Sequence, residues 1–115
     1  MGVFKKGDIV ISKISFNDSH DSKIRPTLII LDEYITKTSF NNFVVLPITT
    51  TSHPDEYSIS IYATDIETGH IKNSPSYVRV NKPHILPRNK LHNKIASLKE
   101  EKMEEITEVW KKYRE

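Results

Sequence analysis

Two short segments each set a phosphate-capable side chain beside an apolar run. The first is Lys23-Ile24-Arg25-Pro26, which leads into Thr27-Leu28-Ile29-Ile30-Leu31. The second is Val44-Val45-Leu46-Pro47-Ile48-Thr49-Thr50. Arg25 comes just before its expected strand, and Thr49 just after the apolar run of its own. A guanidinium is a planar fork of donors that matches phosphate oxygens. A threonine hydroxyl is a compact donor. Groups at strand ends are firmly rooted yet meet solvent, which suits a site for an anionic ligand. The ordinary alternatives are a surface ion pair of Arg25 with Asp21 or Asp32, and a turn role for Thr49.

Other chemistries are poorly served. Only three glycines are present, so no glycine-rich phosphate loop is expected. There is no cysteine, hence no thiolate site and no disulfide framework. The histidines, at 20, 53, 70, 84 and 92, are scattered. Asp18, His20 and Asp21 are metal-capable but sit in a polar loop, so neither a metal site nor a cofactor is expected.

Charge narrows the partners. From Thr68 to Lys99 there is no acid, while Lys72, Arg79, Lys82, Arg88, Lys90, Lys94 and Lys99 add seven positive charges. The formal net charge is only +2, so the remainder is net −5. A local positive field on a nearly neutral chain points to a polyanion. The N-terminus lacks a signal-peptide h-region, and no apolar run is long enough for a membrane span. A cytoplasmic protein with no membrane contact is expected.

The elements that must hold these groups are mostly strands. A chain of 115 residues is expected to form one domain over 1–115. Strands are predicted over 7–16, 26–33, 43–49, 57–62 and 76–81, with 82–87 extended and 91–96 a short strand or turn. Residues 26–33 are apolar on both faces, as in a central strand. Pro47 demands an edge or a bulge. Turn formers mark 17–24, 36–42, 50–56 and 67–70 as loops. A helix closes the chain. Ser97 with Glu100 reads as a capping box, and glutamates early and basic residues late suit the helix dipole. Met103, Ile106, Val109, Trp110 and Tyr113 form its buried stripe. The class is mainly β with one α-helix.

With Lys6-Gly7-Asp8-Ile9-Val10 upstream, the order and spacing of these segments resemble the MazF/PemK/Kid toxins of type II toxin–antitoxin pairs. The resemblance runs over nearly the whole chain. It implies an SH3-like, small curled β-barrel with a C-terminal α-helix, usually a homodimer. It also implies a metal-independent, sequence-selective endoribonuclease acting on single-stranded RNA. In that reaction the ribose 2′-hydroxyl attacks the neighbouring phosphate and leaves a 2′,3′-cyclic phosphate and a 5′-hydroxyl. The protein supplies a base, donors for the phosphorane charge and an acid. DNA lacks the hydroxyl, so the chemistry selects RNA.

Residue by residue, the resemblance makes Arg25 the phosphate ligand or general acid, and Thr49, with Thr50 beside it, a ligand of the scissile phosphate. Tyr77-Val78-Arg79-Val80-Asn81-Lys82-Pro83-His84 resembles the "V-V-R-C-D-Q-P-R" stretch of the Kid branch, with Arg79 as its second functional arginine. Asn81 replaces that branch's aspartate and cannot take a proton. His84 replaces its arginine after proline. His20 lies one residue off the register of its loop histidine. The expected catalytic set is therefore Arg25, Thr49, His20 and Arg79. Asn81, Lys82, His84, Arg88 and Thr50 are expected to bind substrate. Tyr57, Tyr62, Tyr77 and Phe16 are candidates for base stacking. The implied partners are single-stranded RNA, an acidic antitoxin and, only together with that antitoxin, operator DNA. Asn81 keeps a rival open: a catalytically weak or silent relative that binds nucleic acid or a partner peptide.

Overall fold

In the computed structural model, residues 4–15, 22–34 and 42–114 are described. Eight strands are followed by one helix: β1 Asp8–Ser15, β2 Ser22–Tyr34, β3 Asn42–Thr49, β4 Ser58–Ile61, β5 Ile66–Gly69, β6 Ser76–Arg79, β7 His84–Pro87, β8 Leu91–Leu98 and α1 Glu100–Arg114. The strands run β4-β6-β3-β2-β1-β8-β5 in one curled, antiparallel sheet. β7 lies outside that path and pairs with β3.

Alternation explains how the sheet buries both faces. Leu28, Ile30, Val44, Leu46 and Ile48 point into the larger core, where Met103, Ile106 and Trp110 of α1 cover them. Val10, Ile29, Phe43 and Val45 point the other way and pack with Phe4 and Leu91. β2 and β3 are thus apolar on both sides because they are central. Of the helix stripe, Met103, Ile106 and Trp110 are buried as expected, Val109 is half-buried, and Tyr113 is exposed.

Several boundaries differ from expectation. β2 begins at Ser22, so Arg25 lies within a strand and not before it. The cause is the hairpin with β1, whose register runs from Ile9↔Leu28 to Ser15↔Ser22 and overrides the local turn formers. Residues 67–70 were expected to turn, yet Ile66–Gly69 form the edge strand β5 against β8. β8 is a full strand of eight residues. Ser97 belongs to it, and its hydroxyl meets Thr68 Oγ1 at 2.6 Å, so it does not cap the helix. The first helical turn closes instead on the Lys99 carbonyl, which accepts from Met103 N–H at 3.1 Å.

Pro47 shows how a proline fits a central strand. On one side β3 pairs with β2. On the other, β7 covers residues 42–45 and β6 covers 48–49. Pro47 falls where one partner stops and the next begins, so its missing N–H costs no ladder bond.

Gly69 makes the β5 edge possible. Its φ is +76°, and a Cβ there would sit 2.1 Å from the Ile95 carbonyl oxygen. Gly7 also has positive φ, but its Cβ would make only an ordinary 3.5 Å contact with Met103. Gly69→Ala is expected to destabilise by about 2–4 kcal/mol, from left-handed strain plus forced separation of two backbones. Thermal unfolding checks this. A drop on the order of 10 °C is expected, clearly larger than for Gly7→Ala. Equal shifts would mean β5 does not approach β8 this closely.

Candidate functional site

The β1–β2–β3 ladder determines where Arg25 and Thr49 stand. Arg25 pairs with Ser12 of β1, and Thr27 pairs with Pro47 of β3. The β2–β3 pairing ends at Thr27↔Pro47, and just beyond it the two strands carry Arg25 and Thr49 to the lining of one cleft. A buried hydroxyl relay holds this corner. Thr27 Oγ1 donates to the Val10 carbonyl at 3.1 Å, and Ser12 Oγ lies 2.9 Å from Thr27 Oγ1. Thr27 has one proton, already given to Val10, so Ser12 donates to Thr27.

Arg25 and Thr49 meet in a cleft of about 490 Å³. Lys23 and Lys72 add two more cations to its lining, and Thr50 and Ser76 add two more hydroxyls. Ile11, Pro26, Ile48, Ile71 and Ile95 form apolar walls. Among the described residues no aspartate, glutamate or histidine lines it. Thr49 Oγ1 accepts Thr51 N–H at 3.2 Å. That bond orients the hydroxyl and leaves its proton for another acceptor, such as a phosphate oxygen.

A larger hollow, about 830 Å³, lies between α1 and the strand ends around Gly7 and Ser97. Seven carboxylates line it, among them Asp8, Glu67, Glu101 and Glu104, against three lysines. Such a field repels a polyanion. The smaller cationic cleft is therefore the candidate site.

The other sequence-expected residues stand elsewhere. Arg79 is nearly buried, and its fork is occupied by Asp55, with Nη1–Oδ1 at 3.1 Å and Nη2–Oδ2 at 3.2 Å. This hydrogen bonding holds the Asp55 carboxyl below the usual carboxylate range, helped by a bond from Tyr57 N–H and opposed by partial desolvation. Asn81 is half-buried, and its Oδ1 has no hydrogen-bond partner among the described residues. Lys82 is exposed. His84 opens β7 opposite Val45. Thr49 lies four positions beyond Val45, about 13 Å along the strand. Burial first, and then Lys82, pushes the His84 imidazole below its ordinary range. Arg88 lies past the far end of β7 and stacks on the Phe4 ring at 4.2 Å. None of these lines the cleft. His20, Phe16, Asp18 and Asp21 lie outside the described residues. Tyr57 packs edge-on against Tyr113, and Tyr62 is exposed; neither lines the cleft. Tyr77 pairs with Thr49 along the ladder but does not line it either.

The acid-free window is consequently not one cationic face. Arg79 is neutralised by Asp55, and Lys94 by Asp8 at 3.3 Å. Of the window's seven cations, only Lys72 lines the cleft. Lys23, Asn73 and Ser76 were not singled out by sequence reasoning, and Lys72 was read only as one charge of the basic window. The acid-free composition around Lys72 was the one signal that could have found it.

The sequence matches the family described as PemK-like, MazF-like toxins of type II toxin–antitoxin systems over residues 5–113. No curated protein sequence matches the chain significantly. Among solved structures, the Mycobacterium tuberculosis toxin MazF-mt6 is similar at 22% identity and a TM-score of 0.67, covering 93% of this chain and 95% of that one. An endoribonuclease in complex with its cognate antitoxin, from a mycobacterial species, is similar at 14% identity and a TM-score of 0.66, covering 99% and 95%. The MazE–MazF structure from Deinococcus radiodurans gives 14% identity and a TM-score of 0.67, covering 96% and 95%. At these identities the likeness establishes the fold. Among the described residues no helix is long and apolar enough to cross a membrane.

Proposed function

Because the chain belongs to the PemK-like, MazF-like toxins of type II toxin–antitoxin systems, we propose that it is a sequence-selective endoribonuclease whose Arg25–Thr49 cleft cuts single-stranded RNA. The observation that carries this is the meeting of a guanidinium and an oriented hydroxyl in a cleft with two further cations and no lining carboxylate among the described residues. The substrate's 2′-oxygen attacks phosphorus as a base takes its proton. Arg25 and Thr49 hold the phosphorane oxygens, the 5′-oxygen leaves, and an acid protonates it. Unpaired RNA suits such a surface because its bases can splay onto the aliphatic walls. The solved relatives bound to antitoxins support a separate antitoxin as the inhibitor. We propose that it is acidic and competes with RNA for the cationic cleft. A homodimer, operator DNA bound only together with the antitoxin, and a cytoplasmic location belong to the same reading.

The nucleophile is the substrate's own hydroxyl, and the phosphorane charge is met by protein donors, so no step needs a metal. Cleavage of mixed-sequence RNA is expected to survive excess EDTA and to leave 5′-hydroxyl ends, read by kinase labelling without prior phosphatase. Activity lost on chelation and restored by magnesium would overturn this mechanism. One observation favours a second reading: the described lining holds no histidine and no carboxylate to act as base. Should the wild-type chain bind the RNA without cutting it, the silent RNA-binding relative is the correct description.

A further inference from the structure

Lys72 stands apart from the other cations of its window. It is exposed, lines the cleft beside Arg25 and Thr49, and makes no ion pair with a described residue. Its root is held on both sides. His70 N–H donates to the Ile95 carbonyl at 3.4 Å. Ser76 Oγ donates to the Asn73 carbonyl at 2.7 Å, and Ala63 N–H donates to Ser74 Oγ at 2.9 Å. A lysine on a fixed root is a mobile point charge on a flexible stem. That suits a phosphate whose position varies with the bases beside it. The guanidinium fork of Arg25, by contrast, suits a phosphate held in one geometry.

We propose that Lys72 is a second phosphate-binding residue of the cleft, holding a backbone phosphate that flanks the one Arg25 and Thr49 bind. The cleft then grips at least two consecutive phosphates, and its ligand is an oligonucleotide segment and not an isolated phosphodiester. This rests on the reading of the cleft as an RNA site. The flanking phosphate carries the same charge in the ground state and in the transition state. Lys72 therefore contributes uniform binding, which appears in KM and not in kcat.

The test is steady-state cleavage of a single-stranded RNA oligonucleotide at several salt concentrations, with RNA binding measured in parallel. Lys72→Ala is expected to raise KM about tenfold, the size of one charge-assisted contact, with kcat almost unchanged. The salt slope of log affinity should become shallower by about 0.7, one phosphate fewer on a single strand. Lys72→Arg should restore both. Lys112→Ala, which removes one charge from the exposed face of α1, should match the wild type. If the wild type cuts RNA and Lys72→Ala has the same KM and salt slope, this proposal falls and the reading of the cleft stands. A fall in kcat with KM unchanged also overturns it, because Lys72 would then act on the transition state. If the wild type neither binds nor cuts RNA, the functional reading fails and takes this proposal with it.

Discussion

Arg25→Ala is expected to lower the single-turnover rate of RNA cleavage by about 10²–10³-fold, the usual loss when one donor to developing charge is removed. Thermal unfolding should change little, because the half-exposed Arg25 side chain meets the cleft. Its strand is held by the Ser12–Thr27 hydroxyl relay and the apolar ladder around Leu28. Arg25→Lys keeps the charge but loses the planar fork, so it should recover only part of the rate. Thr49→Ala should cost less, about tenfold, since a neutral hydroxyl gives a weaker bond to an anion than a guanidinium does. The rates should be measured on one RNA, with enzyme in excess, beside unfolding curves for each variant. An Arg25→Ala enzyme that cuts at the wild-type rate would remove Arg25 from the reaction.

Arg25 and Thr49 were legible as a pair because their signal is local: a phosphate-capable side chain against an apolar run. What the sequence hid was how β2 and β3 bring them together, since Arg25 was expected before its strand and stands within it. The residues that complete the cleft were not legible for a related reason. Lys72 comes from the β5–β6 connection, which has no periodicity, and Ser76 opens β6; only tertiary packing sets them beside β2. The basic window misled in the opposite direction. Its acids are absent in sequence but present in space, because Asp55 and Asp8 fold onto Arg79 and Lys94. The fold itself was largely readable, since double-faced apolar runs and the helical stripe are periodic. β5 was not, because Thr68-Gly69 carries turn chemistry and becomes a strand only through pairing with β8. Ser97 was misread for the same reason: the capping signature is local, and the β8 ladder overrode it.

In the proposed reaction the 2′-hydroxyl proton needs an acceptor, and among the described residues the cleft lining holds no histidine and no carboxylate to take it. Two histidines remain in contention as the base. His20, five residues before Arg25 in sequence, lies outside the described residues. His84 stands one β7 register away, about 13 Å from Thr49 along the strand and too far for direct proton transfer. Their titrations separate them. A base works deprotonated, so log kcat/KM rises with pH through the free-enzyme pKa and then levels. His20 as base predicts a limb at roughly pH 6 to 7, the ordinary imidazole range. Burial and Lys82 hold the His84 imidazole below that range, so a limb owed to His84 would be displaced toward acid. His20→Ala is expected to lower kcat/KM by about 10²–10⁴-fold and to abolish the limb, the usual contribution of a positioned general base. His84→Ala should leave both intact. The measurement is a pH–rate profile of wild type and both variants at fixed ionic strength, because salt alone shifts RNA affinity. If both variants keep the wild-type profile, neither histidine is the base. If the limb is displaced toward acid and vanishes only in His84→Ala, the strand positions must rearrange on RNA binding to bring β7 to the cleft.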